Sequence, residues 1–333
     1  MTYSPKLPIL FAFIVTIGGF VFGFDAAVIS GTLRFISSEF GLSDSQLGNV
    51  VSAPALGVLI ALLFTGYLCE KIGRKHTLIF IAALYLVSAL GSAFAPSYEV
   101  LLVARFLGGL AFSSLTLASM YIGEIAPPQQ RGKLVSINQI MIVIGLSTAY
   151  FSNYYLVLML SDPPSWLAIT EFESNIWRWM LGIEIIPCLL WLGLLTFVPK
   201  SPRWLLSKGR DEEALKALTQ LVPAQQVHSE LAAIKATIRS DQQQSAGFTQ
   251  QWQLIMSGKF TLVLLIGFLF AAIQPLTGVN PILFYAPMVF EQTGIGTNAA
   301  FAQSLIIGLV SLVFTALAIL LIDKVGRRPL VNI

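Results

Sequence analysis

The stretch GGFVFGFDAAVISG (residues 18–31) has the composition of a membrane helix and carries one carboxylate, that of Asp25. Twelve of its fourteen residues are apolar or Gly. A charged side chain inside the hydrocarbon costs about 2.5–3.5 kcal/mol on insertion scales, so such residues are rare and tend to serve a function. The number of similar apolar stretches therefore indicates the fold, and the other charged side chains within those stretches indicate the function.

The composition of the chain indicates that lipid is its solvent. Of the 333 residues, 56% are hydrophobic and 11% are charged, whereas soluble domains carry about 25% charged residues. Crossing a bilayer takes about 20 apolar residues per helix. Eight runs are long enough, at 9–31, 48–69, 77–95, 100–123, 135–158, 178–198, 260–286 and 301–322. They predict an all-α polytopic membrane protein, and the first run is too long for the apolar core of a signal peptide.

Positive charge is concentrated on one side of the predicted membrane. With a cytoplasmic N-terminus, all but three of the 20 Lys and Arg residues fall in cytoplasmic segments. The exceptions are Arg34 and Arg178, near outer span ends, and Arg105, within a span. This positive-inside pattern predicts the orientation in the lipid bilayer. It also accounts for the net charge of +3 without a nucleic-acid partner.

The sequence offers no motif for nucleotide, metal or acyl-transfer chemistry. It contains no P-loop, no H-E-x-x-H and no G-x-S-x-G. Cys69 and Cys188 lie inside or at the end of spans, where a small packing role is usual. We therefore expect no cofactor, no metal and no enzymatic activity.

A polar segment divides the spans into two groups. Residues 1–198 are predicted to form a six-helix bundle, 199–259 a cytoplasmic helical linker, and 260–333 the first part of a second bundle. A short motif recurs after the second and eighth spans, as EKIGRK at 70–75 and DKVGRR at 323–328. Internal duplication is typical of transporters. We therefore expect the sequence to cover eight of twelve spans, two thirds of a duplicated protein.

Three charged residues lie inside predicted spans: Asp25, Arg105 and Glu184. At ~1.5 Å per residue, each lies about 8–9 Å below the outer end of its span, so the three share one layer. Arg105 neutralises one acid at a time, and the other then favours a proton because burial and a like charge disfavour a second negative charge. We predict a proton switch. A static buried ion pair and side chains that reach toward the outer surface are the alternatives.

Acid–base clusters lie at the cytoplasmic ends of the spans. Such clusters can hold helix ends together in one conformation and release them in another. The predicted latch residues are Glu70, Gly73, Arg74, Lys75, Glu124, Arg131 and Arg203 in the first half and Asp323, Gly326, Arg327 and Arg328 in the second. Anchoring by positive charge is the alternative, and it explains the basic members without the acids.

The seventh span differs from its neighbours because it contains helix breakers. Its segment AAIQPLTGVNPILFYAP (271–287) contains Pro275, Gly278, Pro281 and Pro287. Proline removes a helical hydrogen bond, and broken helices near the midplane often form substrate sites. Gln274, Asn280 and Tyr285 offer neutral donors and acceptors that suit a polyol better than an ion. Hydrogen bonding between helices is the alternative role.

Eight motifs follow one another along the chain: FGFDAAVISG, EKIGRK, RFLGG, MYIGEIAPPQQRGKLVSINQ, WRWM with Glu184 after it, VPKSPRWL, GVNPILFYAP and DKVGRR. In this order they resemble the sugar porter family of the major facilitator superfamily, which includes bacterial xylose–proton symporters and facilitative glucose transporters. The resemblance covers essentially the whole chain. It implies twelve helices in two six-helix bundles, a cytoplasmic helical segment between them, and alternating access in a cell membrane such as the bacterial inner membrane.

The resemblance also assigns roles to single positions. Asp25 matches the acid of proton-coupled members, and Arg105 and Glu184 match its partners. The family's sugar-contacting positions are occupied by Phe22, Gln274, Asn280 and Tyr285. We therefore expect symport of a sugar or related polyol with protons. A truncated remnant that binds sugar or regulates without transporting, and a proton-independent sugar facilitator, are the alternatives.

Four positions depart from the family pattern. Leu146, Pro275 and Ser311 stand where the resemblance implies amide side chains. The loss of three amides weakens the expectation of an ordinary pentose or hexose substrate. Lys200 stands where the family has an acid, and this weakens or inverts one cytoplasmic latch.

Overall fold

The computed structural model describes residues 6–126, 131–160, 171–244, 257–258 and 260–326, and these ranges contain helices and no strand. The α-helices there are α1 (Leu7–Phe40), α2 (Asp44–Ile72), α3 (Arg74–Ala93), α4 (Tyr98–Ala111), α5 (Ser114–Ile125), α6 (Arg131–Leu158), α7 (Ile176–Gly182), α8 (Ile185–Leu195), α9 (Pro202–Ser207), α10 (Asp211–Leu221), α11 (Val227–Gln244), α12 (Thr261–Leu276), α13 (Val279–Gln292) and α14 (Thr297–Val325). The prediction of an all-α fold is confirmed.

The long helices coincide with the predicted membrane spans. In the part of the chain that the structure describes, seven helices or consecutive helix pairs are long and apolar enough to cross a membrane. They correspond to predicted spans one to six and eight. The fourth and sixth spans are each interrupted, as α4–α5 and α7–α8. The seventh is represented by α12 and α13.

The division of the seventh span follows from its helix breakers. Pro275 lies in the last turn of α12. Gly278 precedes α13 with φ 79°, in the left-handed region that glycine adopts without steric cost. Pro281 lies in the first turn of α13, where a backbone N–H has no helical acceptor in any case. The two helices therefore meet halfway along the span.

Close packing of α1 against α6 places the opening stretch at the centre of the first bundle. A Cβ atom on Gly23 would overlap the carbonyl of Ile142, and one on Gly145 would overlap the carbonyl of Phe20. Small residues let membrane helices approach to backbone contact, where dispersion forces are strongest. Asp25 follows Gly23 by two residues and is fully buried as a result.

Helix α1 is longer than the hydropathy pattern predicts. It continues past residue 31 to Phe40, because its first helix-ending residue is Gly41, which adopts φ 62°. Asp25 is therefore 15 residues from the outer helix end, or ~22 Å at 1.5 Å per residue. The depth of about 8 Å refers to the outer end of the apolar span near residue 30, and it stays a prediction because the helix extends beyond that span. The added turns carry Arg34 and Glu39.

The polar segment forms short helices beside the span ends that are predicted to be cytoplasmic. Helices α10 and α11 lie in this segment, which the sequence predicts to be a helical linker. Helix α9 begins at Pro202 after Ser201, whose hydroxyl accepts the backbone N–H of Trp204 at 3.1 Å. Trp204 and neighbouring apolar side chains of α9 and α10 form a small core of their own.

Candidate functional site

Asp25, Arg105 and Glu184 come together from three different elements. Nη1 of Arg105, on α4, donates to Oδ1 of Asp25, on α1, at 2.5 Å, and Nη2 is 3.4 Å from the backbone carbonyl of Asp25. Glu184 lies at the junction of α7 and α8, where its carboxyl interacts electrostatically with both Asp25 and Arg105. Each of the three residues is 1–2% exposed. Two acids and one guanidinium thus lie in one dry layer, and the guanidinium is paired with Asp25.

The hydrogen-bonding capacity of this cluster is incompletely used. Among the described residues, Oδ2 of Asp25, Oε1 of Glu184 and Nε of Arg105 have no partner. Buried polar atoms normally find one. A proton on one carboxyl would donate to the other and leave a single negative charge opposite the guanidinium. The arrangement is suited to binding and releasing one proton.

Aromatic side chains surround the cluster within the bundle. Tyr85 is fully buried, lies near both acids, and its hydroxyl is 3.4 Å from Oγ of Ser114. Its ring packs against Trp191 and Phe112. Phe22, a predicted sugar contact, meets Phe112 edge to face at 4.6 Å between ring centroids. These rings limit the access of water to the charged layer.

The other predicted sugar contacts belong to the divided span. Asn280 and Tyr285 are partly buried in α13, the helix that packs against α1 and α14. Gln274 lies in the last turn of α12, and its side chain is outside the described part of the structure. The structure thus places Phe22 and two of the three polar residues on helices that pack together.

One backbone carbonyl of the seventh span that lacks its helical hydrogen bond has a partner in the first bundle. Pro287 lacks the N–H that would bond the carbonyl of Leu283 four residues earlier. The hydroxyl of Tyr150, on α6, donates to that carbonyl at 2.5 Å. Tyr150 was not among the predicted site residues. The proline itself is the sequence signal that could have been used, because the carbonyl four residues before a proline in a span needs a hydrogen-bond donor from another residue.

At the side predicted to face the cytoplasm, Arg74 connects two helices. Its guanidinium binds Oε1 of Glu124 at 2.9 Å and the carbonyl of Cys69 at 3.2 Å. Lys75 donates to the carbonyl of Thr196 at 2.7 Å, which joins the start of α3 to the end of the sixth span. The side chain of Glu70 is exposed. Arg74 thus pairs with the acid of the fourth span.

Trp204 holds the EKIGRK loop, a role that the sequence does not predict. Its indole N–H donates to the carbonyl of Glu70 at 2.9 Å. Its ring lies against Gly73, where a Cβ would come within 2.9 Å of the ring. Gly73 also adopts φ 86°, which a side chain would disfavour. The loop therefore needs glycine for two independent reasons.

The remaining latch residues lie around this loop or in the repeat. Nε of Arg131 donates to the carbonyl of Ala126 at 3.2 Å. Arg131, Arg203, Glu124 and Glu230 contribute to the lining of a cavity of about 280 Å³. Lys200, at the position where the family has an acid, pairs instead with Glu213 at 3.3 Å.

The repeat is visible in backbone geometry. Gly73 has φ 86° and ψ 159°, and Gly326 has φ 88° and ψ 163°. Each follows a long membrane helix. Asp323 lies in the last turn of α14, and its side chain is not described; Arg327 and Arg328 lie outside the described residues.

Proteins of similar sequence include two that are named as sugar–proton symporters. The arabinose-proton symporter of Bacillus subtilis (strain 168) is 35% identical over 333 residues, which cover 100% of this chain and 69% of that protein. The D-xylose-proton symporter of Escherichia coli (strain K12) is 35% identical over 344 residues, which cover 95% of this chain and 67% of that protein. The chain therefore spans about two thirds of the length of these relatives.

Solved structures of XylE, a proton:xylose symporter, match the whole described fold. The complex with 6-bromo-6-deoxy-D-glucose has a TM-score of 0.81 and 34% identity, and covers 98% of this chain and 72% of that one. The partially occluded inward-open form from E. coli has a TM-score of 0.81 and 32% identity. The sequence profile described as "Sugar (and other) transporter" matches residues 11–333. The chain is therefore a multi-pass membrane protein of major facilitator architecture, and it belongs to the Sugar (and other) transporter family.

Proposed function

We propose that the protein containing this chain carries a sugar or related polyol across the cell membrane together with protons, by alternating access. Relatives at 35% identity are named for arabinose–proton and D-xylose–proton symport. The observation that carries the proposal is the buried cluster of Asp25, Arg105 and Glu184, in which one cation pairs with the first of two acids. A facilitator without proton coupling has no evident use for a second buried acid.

The cluster links proton binding to helix movement. While Asp25 is charged, its ion pair with Arg105 ties α1 to α4. A proton on Asp25 removes the negative charge that holds the guanidinium, which then turns to Glu184. Because a buried charge without a partner is strongly unfavourable, the guanidinium always needs one of the two acids. Each proton that binds or leaves therefore breaks or re-forms the ion pair that holds α1 to α4.

The substrate site lies where the divided span faces the first bundle. Phe22 supplies a ring for the apolar face of a sugar, and Gln274, Asn280 and Tyr285 supply hydrogen-bonding groups. Leu146, Pro275 and Ser311 replace the amides of the family pattern. We expect the substrate to receive fewer amide hydrogen bonds here than that pattern provides.

The moving parts are the six-helix bundle of 1–198 and the segment 260–333, joined by the cytoplasmic linker 199–259. The N-terminus lies in the cytoplasm, as the distribution of Lys and Arg predicts. The latch residues hold the cytoplasmic helix ends in one conformation. No catalytic chemistry is required of any residue.

Uptake into membrane vesicles tests the proposal. The protein that contains this chain is placed in membrane vesicles. Uptake of labelled pentoses, hexoses and polyols is then measured with and without an inwardly directed proton gradient. We expect at least one compound to accumulate above its external concentration, only while the gradient persists. Collapse of the gradient by an uncoupler should reduce uptake to equilibration. Equal uptake with and without the uncoupler would contradict proton coupling and favour facilitated diffusion.

A further inference from the structure

At the outer surface, Arg34 of α1 reaches the divided span. Its Nη1 atom lies 2.9 Å from Oε1 of Glu291, at the end of α13, and 2.5 Å from Oγ1 of Thr297, at the start of α14. The side chain of Arg34 is 55% exposed and that of Glu291 is 19% exposed. One guanidinium therefore joins the first bundle to two helices of the second half, at the edge of the solvent.

A second layer of contacts lies beneath this ion pair. Tyr150 donates to the carbonyl of Leu283, and Oγ of Ser147 donates to the carbonyl of Gly308 at 2.9 Å. Ser147 and Tyr150 are three residues apart, on one face of α6. Gly308 permits this approach, because a Cβ there would lie within 3.0 Å of the Tyr150 ring.

Both layers join the same two parts in the outer halves of their helices. Helix α1 or α6 from the first bundle is bound to α13 or α14 from the second half. The structure therefore represents a conformation whose outer side is closed. For a substrate to enter from outside, these contacts must break.

We propose that Arg34, Glu291 and Thr297 form a releasable closure of the outer side, an inference that rests on the proposed alternating access. They act as positioning residues, because they set how often the path to the substrate is open and do not touch the substrate. An exposed ion pair suits this role. Water solvates both charges when the pair separates, so the closed state gains little from the contact. The buried pair of Asp25 and Arg105 could not open so easily.

A cysteine reporter measures the open fraction directly. Ala286 is 1% exposed and lies on the same face of α13 as Leu283. An Ala286→Cys variant in intact cells should react slowly with a membrane-impermeant thiol reagent added outside. The native Cys69 and Cys188 are buried, and the parent without the reporter gives the background.

Breaking the ion pair should raise the labelling rate. We expect Arg34→Glu or Glu291→Arg to increase external labelling of Ala286→Cys about two- to fivefold, the range typical of an exposed pair. The double variant Arg34→Glu/Glu291→Arg should return to the rate of the parent, because the pair re-forms with its charges exchanged. Tyr150→Phe removes a buried hydrogen bond and should give an increase of about three- to tenfold.

A matched control comes from an exposed ion pair on the cytoplasmic side. Lys235 binds Asp211 at 2.5 Å, and both side chains are more than a third exposed. Lys235→Glu should leave external labelling unchanged. Unchanged labelling in both Arg34→Glu and Glu291→Arg would overturn the proposal, as would failure of the double variant to restore the parental rate. The readout uses neither sugar nor a proton gradient, so a failed symport proposal would not produce these results.

Discussion

The guanidinium of Arg105 lies 2.5 Å from the carboxylate of Asp25, across 80 residues of sequence and out of contact with water. Removing one member of a buried pair leaves an uncompensated charge and typically costs about 3–5 kcal/mol. Loss of the Asp25 charge by protonation creates the same problem for Arg105. In the proposed mechanism, the nearby carboxyl of Glu184 relieves it. We therefore expect a proton at this point to have a large effect on how α1 and α4 are held together.

Glu184→Gln should weaken proton coupling. The amide N–H₂ of Gln would donate to Oδ2 of Asp25 at every pH, in place of the shared proton, and so favour charged Asp25. A hydrogen bond to a charged group contributes about 1.5–3 kcal/mol, so we expect gradient-driven uptake at neutral external pH to fall at least about tenfold. Acidic external pH should partly restore it. A pH profile of initial uptake rates checks this, and a profile identical to that of the wild type would exclude a proton shared with Glu184.

Trp204→Ala should detach the linker from the EKIGRK loop. The substitution removes a buried ring from Gly73 and a hydrogen bond to Glu70. Loss of a buried aromatic side chain costs about 3–5 kcal/mol, so the thermal unfolding temperature in detergent should drop clearly. Trp204→Phe is the control, because it keeps most of the ring packing and loses about 0.5–1.5 kcal/mol with the N–H donor. Equal effects of the two variants would show that the ring does not support the loop.

Lys200→Glu should change the pH dependence of stability. Arg210, through a hydrogen bond, and then Lys200 lower the pKa of Glu213. A lowered pKa in the folded state stabilises the fold at neutral pH, and this contribution is lost as the pH falls through that pKa. A second acid beside Glu213 would raise its pKa again. We expect a small loss of thermal stability at pH 7 that diminishes at pH 4.

The control for Lys200→Glu is Lys208→Glu, which makes the same charge change at an exposed position of the same segment. Lys200 also lies close enough to Lys75 for repulsion, so the substitution gives Lys75 an attractive neighbour. Greater stability at pH 7 would mean that this new attraction outweighs the lost pair. Identical behaviour of the two variants would contradict a specific pair between Lys200 and Glu213.

Hydropathy was sufficient to predict the membrane helices, because lipid demands long apolar segments whatever their neighbours are. Helix ends were less predictable. Helix α1 runs on to Phe40 through polar residues, since only Gly41 ends it. The division of the seventh span could be predicted, because proline and glycine act locally on the backbone.

Partners across the fold could not be assigned from spacing alone. Proximity in sequence groups Arg74 with Glu70, whereas packing of the second, third and fourth spans brings it to Glu124. The role of Trp204 depends on a contact across 134 residues. The layer of Asp25, Arg105 and Glu184 could be predicted from the sequence, because charged residues within membrane spans are few and rarely lack a partner.

Sugar accumulation and sugar exchange in the variant Asp25→Asn test proton coupling most directly. Asn keeps the size of the side chain and removes the acid, so the first helix can no longer carry a proton. Glu39→Gln is the control, because Glu39 is a carboxylate of the same helix that binds Arg178 at its outer end. In vesicles, Asp25→Asn should lose gradient-driven accumulation and retain exchange of labelled for unlabelled sugar, whereas Glu39→Gln should retain both. Accumulation that persists in Asp25→Asn would contradict the account.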